Sequence, residues 1–133
     1  MFKHNVEYTD FNGVDRKEDL YFHLSKPEVI RLEAELGKEL KDHVKELTEN
    51  RELKKLLDFL ENILLNSYGR KTSDGKSFYK SKELREEFEH SNAYAEVFEQ
   101  LLTNADLARK FGESVADNGS SKKNVVEPTV VNN

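Results

Sequence analysis

The sequence has no cysteine. That excludes disulfides, thiolate metal sites and cysteine nucleophiles together, and it fits a chain that folds in a reducing compartment. Long apolar runs are missing too. The N-terminus Met1-Phe2-Lys3-His4-Asn5-Val6-Glu7 lacks the apolar core of a secretion signal, and no stretch approaches the ~20 apolar residues that a membrane-spanning helix needs. A soluble, cytoplasmic chain with no membrane partner is expected. Nor is there a phosphate-cradling loop, because Gly69 and Gly75 lie too far apart for G-x-G-x-x-G and no Gly-Lys-Ser/Thr follows a strand. Basic stripes are equally lacking: the net charge is −5, with lysine and arginine interleaved with acids. Such a surface repels phosphates, so no nucleic acid partner is expected.

What is present suits one core. The 133 residues can bury a single core but not two independent ones. Hydrophobic residues make up 36%, charged residues 35%, and the mean hydropathy is −0.81, so each element must concentrate its apolar residues on one face.

The pattern along the chain predicts an α+β domain over 1–117, with a β-hairpin at 2–24, a helical body of about five mostly short helices at 26–117, and a flexible tail at 118–133. Phe2, His4, Val6 and Tyr8 alternate with Lys3, Asn5, Glu7 and Thr9, and Leu20, Phe22 and Leu24 alternate in a second run. Between them Asn12-Gly13 is a strong hairpin signal. A two-residue loop would pair Val6 with Asp19 and strand one apolar set in water. The connection is therefore expected to have three or five residues, or a bulge, with Gly13 at positive φ so that Val6 and Tyr8 share a face with Leu20 and Phe22.

Ser25 and Glu28 have capping-box spacing and start a helix. Val29, Leu32, Leu36, Leu40, Val44 and Leu47 then keep a helical period, with Gly37 leaving open whether this is one helix or two. The central helix is expected from about Glu49 to Ser67, with Gly69 as its left-handed cap. The stretch Arg70 to Tyr79, with its Ser73-Asp74-Gly75 turn, reads as an ordered loop. Three further amphipathic segments carry Leu84 and Phe88, then Tyr94 to Leu102, then Leu107 to Val115, the first capped by Ser81.

None of His4, His23, His43 and His90 stands in a suggestive setting, and no catalytic, cofactor-binding or metal residue is expected. Glu87 and His90 form a single Glu-x-x-His step, where di-iron bundles use two such steps plus further glutamates. Other carboxylates sit beside lysines at helix-surface spacing, as in Glu35/Lys38/Glu39 and Glu49/Glu52/Lys55. No enzyme activity is expected. Tyr68, Phe78, Tyr79 and Tyr94 are the candidates for partner contact, with packing into the core the more ordinary fate of such rings.

The segment Asn66-Ser67-Tyr68-Gly69-Arg70, the Ser73-Asp74-Gly75 turn, Phe78-Tyr79 and Glu83-Leu84-Arg85-Glu86-Glu87-Phe88 resemble, in that order and spacing, the signature of tail assembly chaperones from long-tailed phages of Gram-positive bacteria. Ala93 to Thr103 is similar to that family's next helix, and the hairpin from Val6 to Lys26 resembles its N-terminus. The resemblance covers about Lys3 to Phe111. Leu36-Gly37-Lys38 departs from the family's usual Gly-Gly-Leu-like break, and the polar tail is longer than in many members.

The resemblance implies a chaperone that binds and solubilises the tape measure protein in the host cytoplasm, self-associates, and is absent from the mature virion. It also implies a longer frameshifted form that engages the tail tube protein. Lys122-Lys123 can be encoded by a slippery A-rich heptamer, which the gene's nucleotide sequence would settle. The rival expectations are a virion structural component, such as a tail or connector subunit, and a small regulatory or host-directed binding protein.

Overall fold

The computed structural model describes residues 1–116. The expected tail at 118–133, Asp117 and Lys122-Lys123 lie outside the described residues.

The first two strands, β1 (Phe2–Thr9) and β2 (Asp15–Phe22), form the hairpin, with Phe2 opposite Phe22, His4 opposite Leu20 and Val6 opposite Glu18. Five residues connect them. Asp10 accepts through its side chain from the Asn12 and Val14 amides and its own amide donates to the Val14 carbonyl, while Gly13 closes the turn at φ 79°. The odd connection puts Val6, Leu20 and Phe22 on one buried face, as their alternation requires. A side chain at Gly13 would meet no neighbouring atom, so Gly13→Ala isolates the backbone cost. A loss of about 1–2 kcal/mol is expected, read as a shift of the urea midpoint at constant slope.

Among the described residues six helices follow, one more than about five. Ser25 and Glu28 complete the capping box that opens α1 (Lys26–Leu36), and Gly37, left-handed at φ 74°, ends it. The glycine divides the long apolar period into α1 and α2 (Leu40–Glu49). The central helix α3 is Leu53–Ser67, starting later than Glu49 because Arg51 turns the chain at φ 55°. Then come α4 (Lys82–Glu89), α5 (Asn92–Thr103) and α6 (Ala105–Val115), capped by Ser81, Ser91 and Asn104 through their side-chain oxygens.

Two expectations between α3 and α4 are corrected. Gly69 is not a left-handed cap, and residues 70–79 are not simply a loop. The segment starts within β3 (Tyr68–Lys71) and ends on β4 (Phe78–Tyr79), which extend the hairpin into an antiparallel sheet ordered β1-β2-β3-β4. The turn between them does fall at the expected place, with Gly75 at φ 76° and its amide donating to the Thr72 carbonyl. Gly69 is buried because the chain from Phe78 to Lys80 lies close against it: an added Cβ would lie 2.5 Å from the Tyr79 carbonyl oxygen.

One face of the sheet meets the helices. Phe2, Val6, Leu20 and Phe22 join Ile63 and Leu64 of α3, Phe88 of α4, Ala93, Val97 and Leu101 of α5, and Phe111 and Val115 of α6 in one cluster. The other face is wet. There Lys3 lies 3.8 Å from Asp19, and the Asn5 side chain donates to Asp19 at 3.0 Å.

Candidate interaction surface

The helices fall into two groups by how fully they bury their apolar residues. From Phe88 through Val115, α4, α5 and α6 bury six side chains in the common cluster. By contrast α1 buries none and α2 buries only Leu47. Val29, Leu32 and Leu40 are half-covered at the edge of the cluster, whereas Ile30 in α1, Val44 in α2 and Leu53 at the start of α3 are exposed. Ile30 is 66% and Leu53 64% exposed, an unusual cost for side chains of that size. Scattered exposed apolar side chains are ordinary, but these are contributed by three consecutive elements that pack on one another, α1 on α2 and α2 on α3. The hairpin tip adds a second apolar spot at Phe11 and Val14.

The aromatic candidates divide. Tyr68 stacks on Phe88 at 4.2 Å between centroids, and Tyr94 meets Phe88 edge-on while its hydroxyl donates to Glu61 at 2.7 Å. Both are part of the packing. Burial, together with the bond to the Glu61 carboxylate, pushes the Tyr94 phenol well above its ordinary range, so it stays protonated and donating at physiological pH. Phe78 is half-buried against His23, and Tyr79 alone of the four is exposed.

The histidines occupy four separate settings. His4 shares a 2.7 Å hydrogen bond with Gln100, His23 lies against Phe78, and His43 sits edge-on to Phe59 at 4.7 Å. His90 binds the Glu86 carbonyl through Nδ1, while Glu87 faces Arg70 at 3.8 Å. The two members of the Glu-x-x-His step thus have different partners. Among the described residues no group of three or more histidine and carboxylate side chains could hold a metal ion. Nor, among them, is any helix long and apolar enough to cross a membrane. Of the carboxylate–lysine groups, Glu52 and Lys55 pair at 2.9 Å as spacing predicts. Lys38 instead reaches Glu46, because Gly37 ends α1 before the Glu35 to Lys38 step.

Sequence spacing gave no hint of Lys80. Its ammonium donates to both Glu28 carboxylate oxygens at 2.6 Å, to the His23 carbonyl at 3.0 Å and to the Asn66 carbonyl at 3.2 Å. Those partners are 14 to 57 residues away, so no local pattern announces them. Glu28 also accepts from the Ser25 amide. Partial burial works to raise the Glu28 pKa, but the hydrogen bonds from Lys80 and Ser25 and the lysine charge outweigh it and hold the carboxyl below its ordinary value. A depressed folded-state pKa stabilises the protein above the unfolded value of about 4.3. That contribution should disappear as pH falls from there through the folded value. Glu28→Gln should therefore flatten the acid limb of stability against pH, measured by denaturant titration from pH 6 downward, with a modest amplitude because the pair is partly solvated.

Taken together, these positions describe a protein whose last three helices bury six apolar side chains, Leu102 of α5 being open, while its first helical layer leaves Ile30, Val44 and Leu53 uncovered. No comparison with curated proteins or solved structures gives a match. The model of one protein family, described as phage tail assembly chaperone, matches residues 1–118. Nearly the whole chain is matched, including the hairpin, all six helices and the β3–β4 turn. The chain belongs to the phage tail assembly chaperone family.

Proposed function

We propose that the protein binds the tape measure protein of its phage, one infecting a Gram-positive host, and keeps that long helical polypeptide soluble in the host cytoplasm until the tail tube assembles. The observation that supports this is the incompletely buried layer of α1, α2 and the start of α3, with Ile30, Val44 and Leu53 open to solvent. A helical client with apolar stripes would cover such side chains. Fully burying one is worth about 1.5–3 kcal/mol, and association costs at least ~4 kcal/mol, so a single engagement of this surface is weak. Weak contacts become effective when repeated along an extended client by self-associating copies. Recruitment of the tail tube protein belongs to the same reading, through a longer form of the chain. None of these roles requires catalysis, and a chaperone of this kind leaves before the particle is complete.

Co-expression tests the reading. The tape measure protein made alone is expected to aggregate, and made with this chain it is expected to remain soluble and co-purify. If it stays insoluble and this chain elutes without it, the proposed client is wrong. Mass spectrometry of purified virions separates the chaperone from a structural subunit, since only the latter would persist there.

A further inference from the structure

The first helical layer is joined to the body in an unequal way. Helix α1 buries no side chain of its own, and its main packing partner is α2. Only Val29 and Leu32 of α1 reach the edge of the apolar cluster. Its N-terminus, however, is fastened at one point. Lys80, just past β4, gathers the Glu28 carboxylate of α1, the His23 carbonyl at the end of β2 and the Asn66 carbonyl near the end of α3. With its side chain only 23% exposed, the ammonium spends its three protons on these partners. Glu33 of α1 also accepts from the Leu40 amide, but that bond holds α1 to α2 and not to the sheet. A helix with little buried area and a strong polar tie to the body at its N-terminus is set to detach when that tie is released, because local opening follows the elements with the fewest buried apolar contacts.

We infer that α1 is a detachable cover and Lys80 its fastening. On release, the part of the apolar cluster beneath Val29 and Leu32 opens to an amphipathic helix supplied by the client. The partner chemistry follows from the occupant already there: α1 is itself a short amphipathic helix that fills this place poorly. A helix with a fuller apolar stripe at i, i+3, i+4 and i+7 spacing would replace it and bury more. The fastening is an inference about this chain alone; only the identity of the incoming helix rests on the tape measure reading.

Hydrogen exchange on the full chain, without any client, tests the fastening. Lys80→Met and Glu28→Gln are each expected to speed amide exchange in α1 by about ten-fold while leaving β1, β2 and α5 unchanged. Glu28→Gln retains a capping-box side chain, so it serves if Lys80→Met fails to fold. Lys80→Arg should restore part of the protection, and Lys54→Met, which removes only the exposed Lys54–Asp58 pair, should change nothing in α1. Exchange that is unaltered, or that accelerates equally in every element, overturns the fastening. In a second measurement the variant with a loosened α1 should capture more of a soluble tape measure fragment than the wild type does. Equal or weaker capture, with α1 demonstrably loosened, overturns the assignment of the uncovered cluster as the client's seat, while loss of capture by the wild type as well points to the client reading itself.

Discussion

Phe22→Ala is expected to destabilise the protein by about 3–5 kcal/mol, the largest effect of any single truncation in the core. Phe22 is fully buried, and its ring lies 6.2 Å from Phe2, 5.8 Å from Tyr68, 5.7 Å from Phe88 and 5.9 Å from Phe111. Those four rings belong to β1, β3, α4 and α6, so one side chain ties the sheet to both ends of the later helices. Removing it forfeits the transfer energy of the ring, leaves a cavity that four elements would have to collapse into, and loses aromatic contacts worth about 0.5–1.5 kcal/mol each. A domain of this size has about 5–15 kcal/mol in total, so the variant should sit close to unfolding at physiological temperature. Urea denaturation followed by far-ultraviolet circular dichroism measures it. Phe22→Leu should cost much less because more of the volume is kept, and a loss under about 1 kcal/mol for the alanine variant would mean that the cluster is not organised around this ring.

Gly69→Val should cost about 2–3 kcal/mol for a different reason, which is crowding. A Cβ there would lie 2.5 Å from the Tyr79 carbonyl oxygen and 2.6 Å from the Phe78 ring, and a backbone oxygen cannot swing away as a side-chain tip can. The two strands would have to part. Because Lys80 follows Tyr79 directly, parting them also withdraws the ammonium from Glu28, so the damage should extend to α1 in hydrogen exchange. Gly75→Ala is the matched control. Gly75 has φ 76° and open space around it, so its cost should be only the backbone term of about 1–2 kcal/mol, with α1 unaffected. Equal losses at the two glycines would argue against the close approach of β4 to Gly69.

The hairpin could be read from the sequence almost completely, and for a physical reason. The alternation of Phe2, His4, Val6 and Tyr8 against Leu20 and Phe22 allows only an odd connection if both apolar sets face inward, and Asn12-Gly13 locates it. The later helices were equally legible, since Ser81 stands before one of them and each shows one apolar stripe that meets the core. Two things were not. The β3 and β4 strands are too short to show a period of their own; β3 forms because β2 offers a free edge, with Tyr21 pairing with Gly69, and β4 then pairs with β3. Their glycine looks like a helix cap in sequence, where only the approach of β4 reveals its use. Lys80 was invisible for the same reason, its acceptors being brought to it by tertiary structure. The helical layer was half legible. The stripe of Val29 to Leu47 predicts a buried face, yet Val44 is open and only Leu47 is buried, a mismatch between pattern and burial that a sequence cannot display.

That mismatch carries the functional account, so the most direct measurement is a hydrogen-exchange footprint of the complex with the tape measure protein. Binding is expected to slow exchange across α2 and the first turns of α3, to speed it in α1 as the client's helix takes its place, and to leave the charged open face of β1 and β2 as it is in the free protein. Protection confined to that sheet face or to the hairpin tip at Phe11, with the helical layer unchanged, would contradict it.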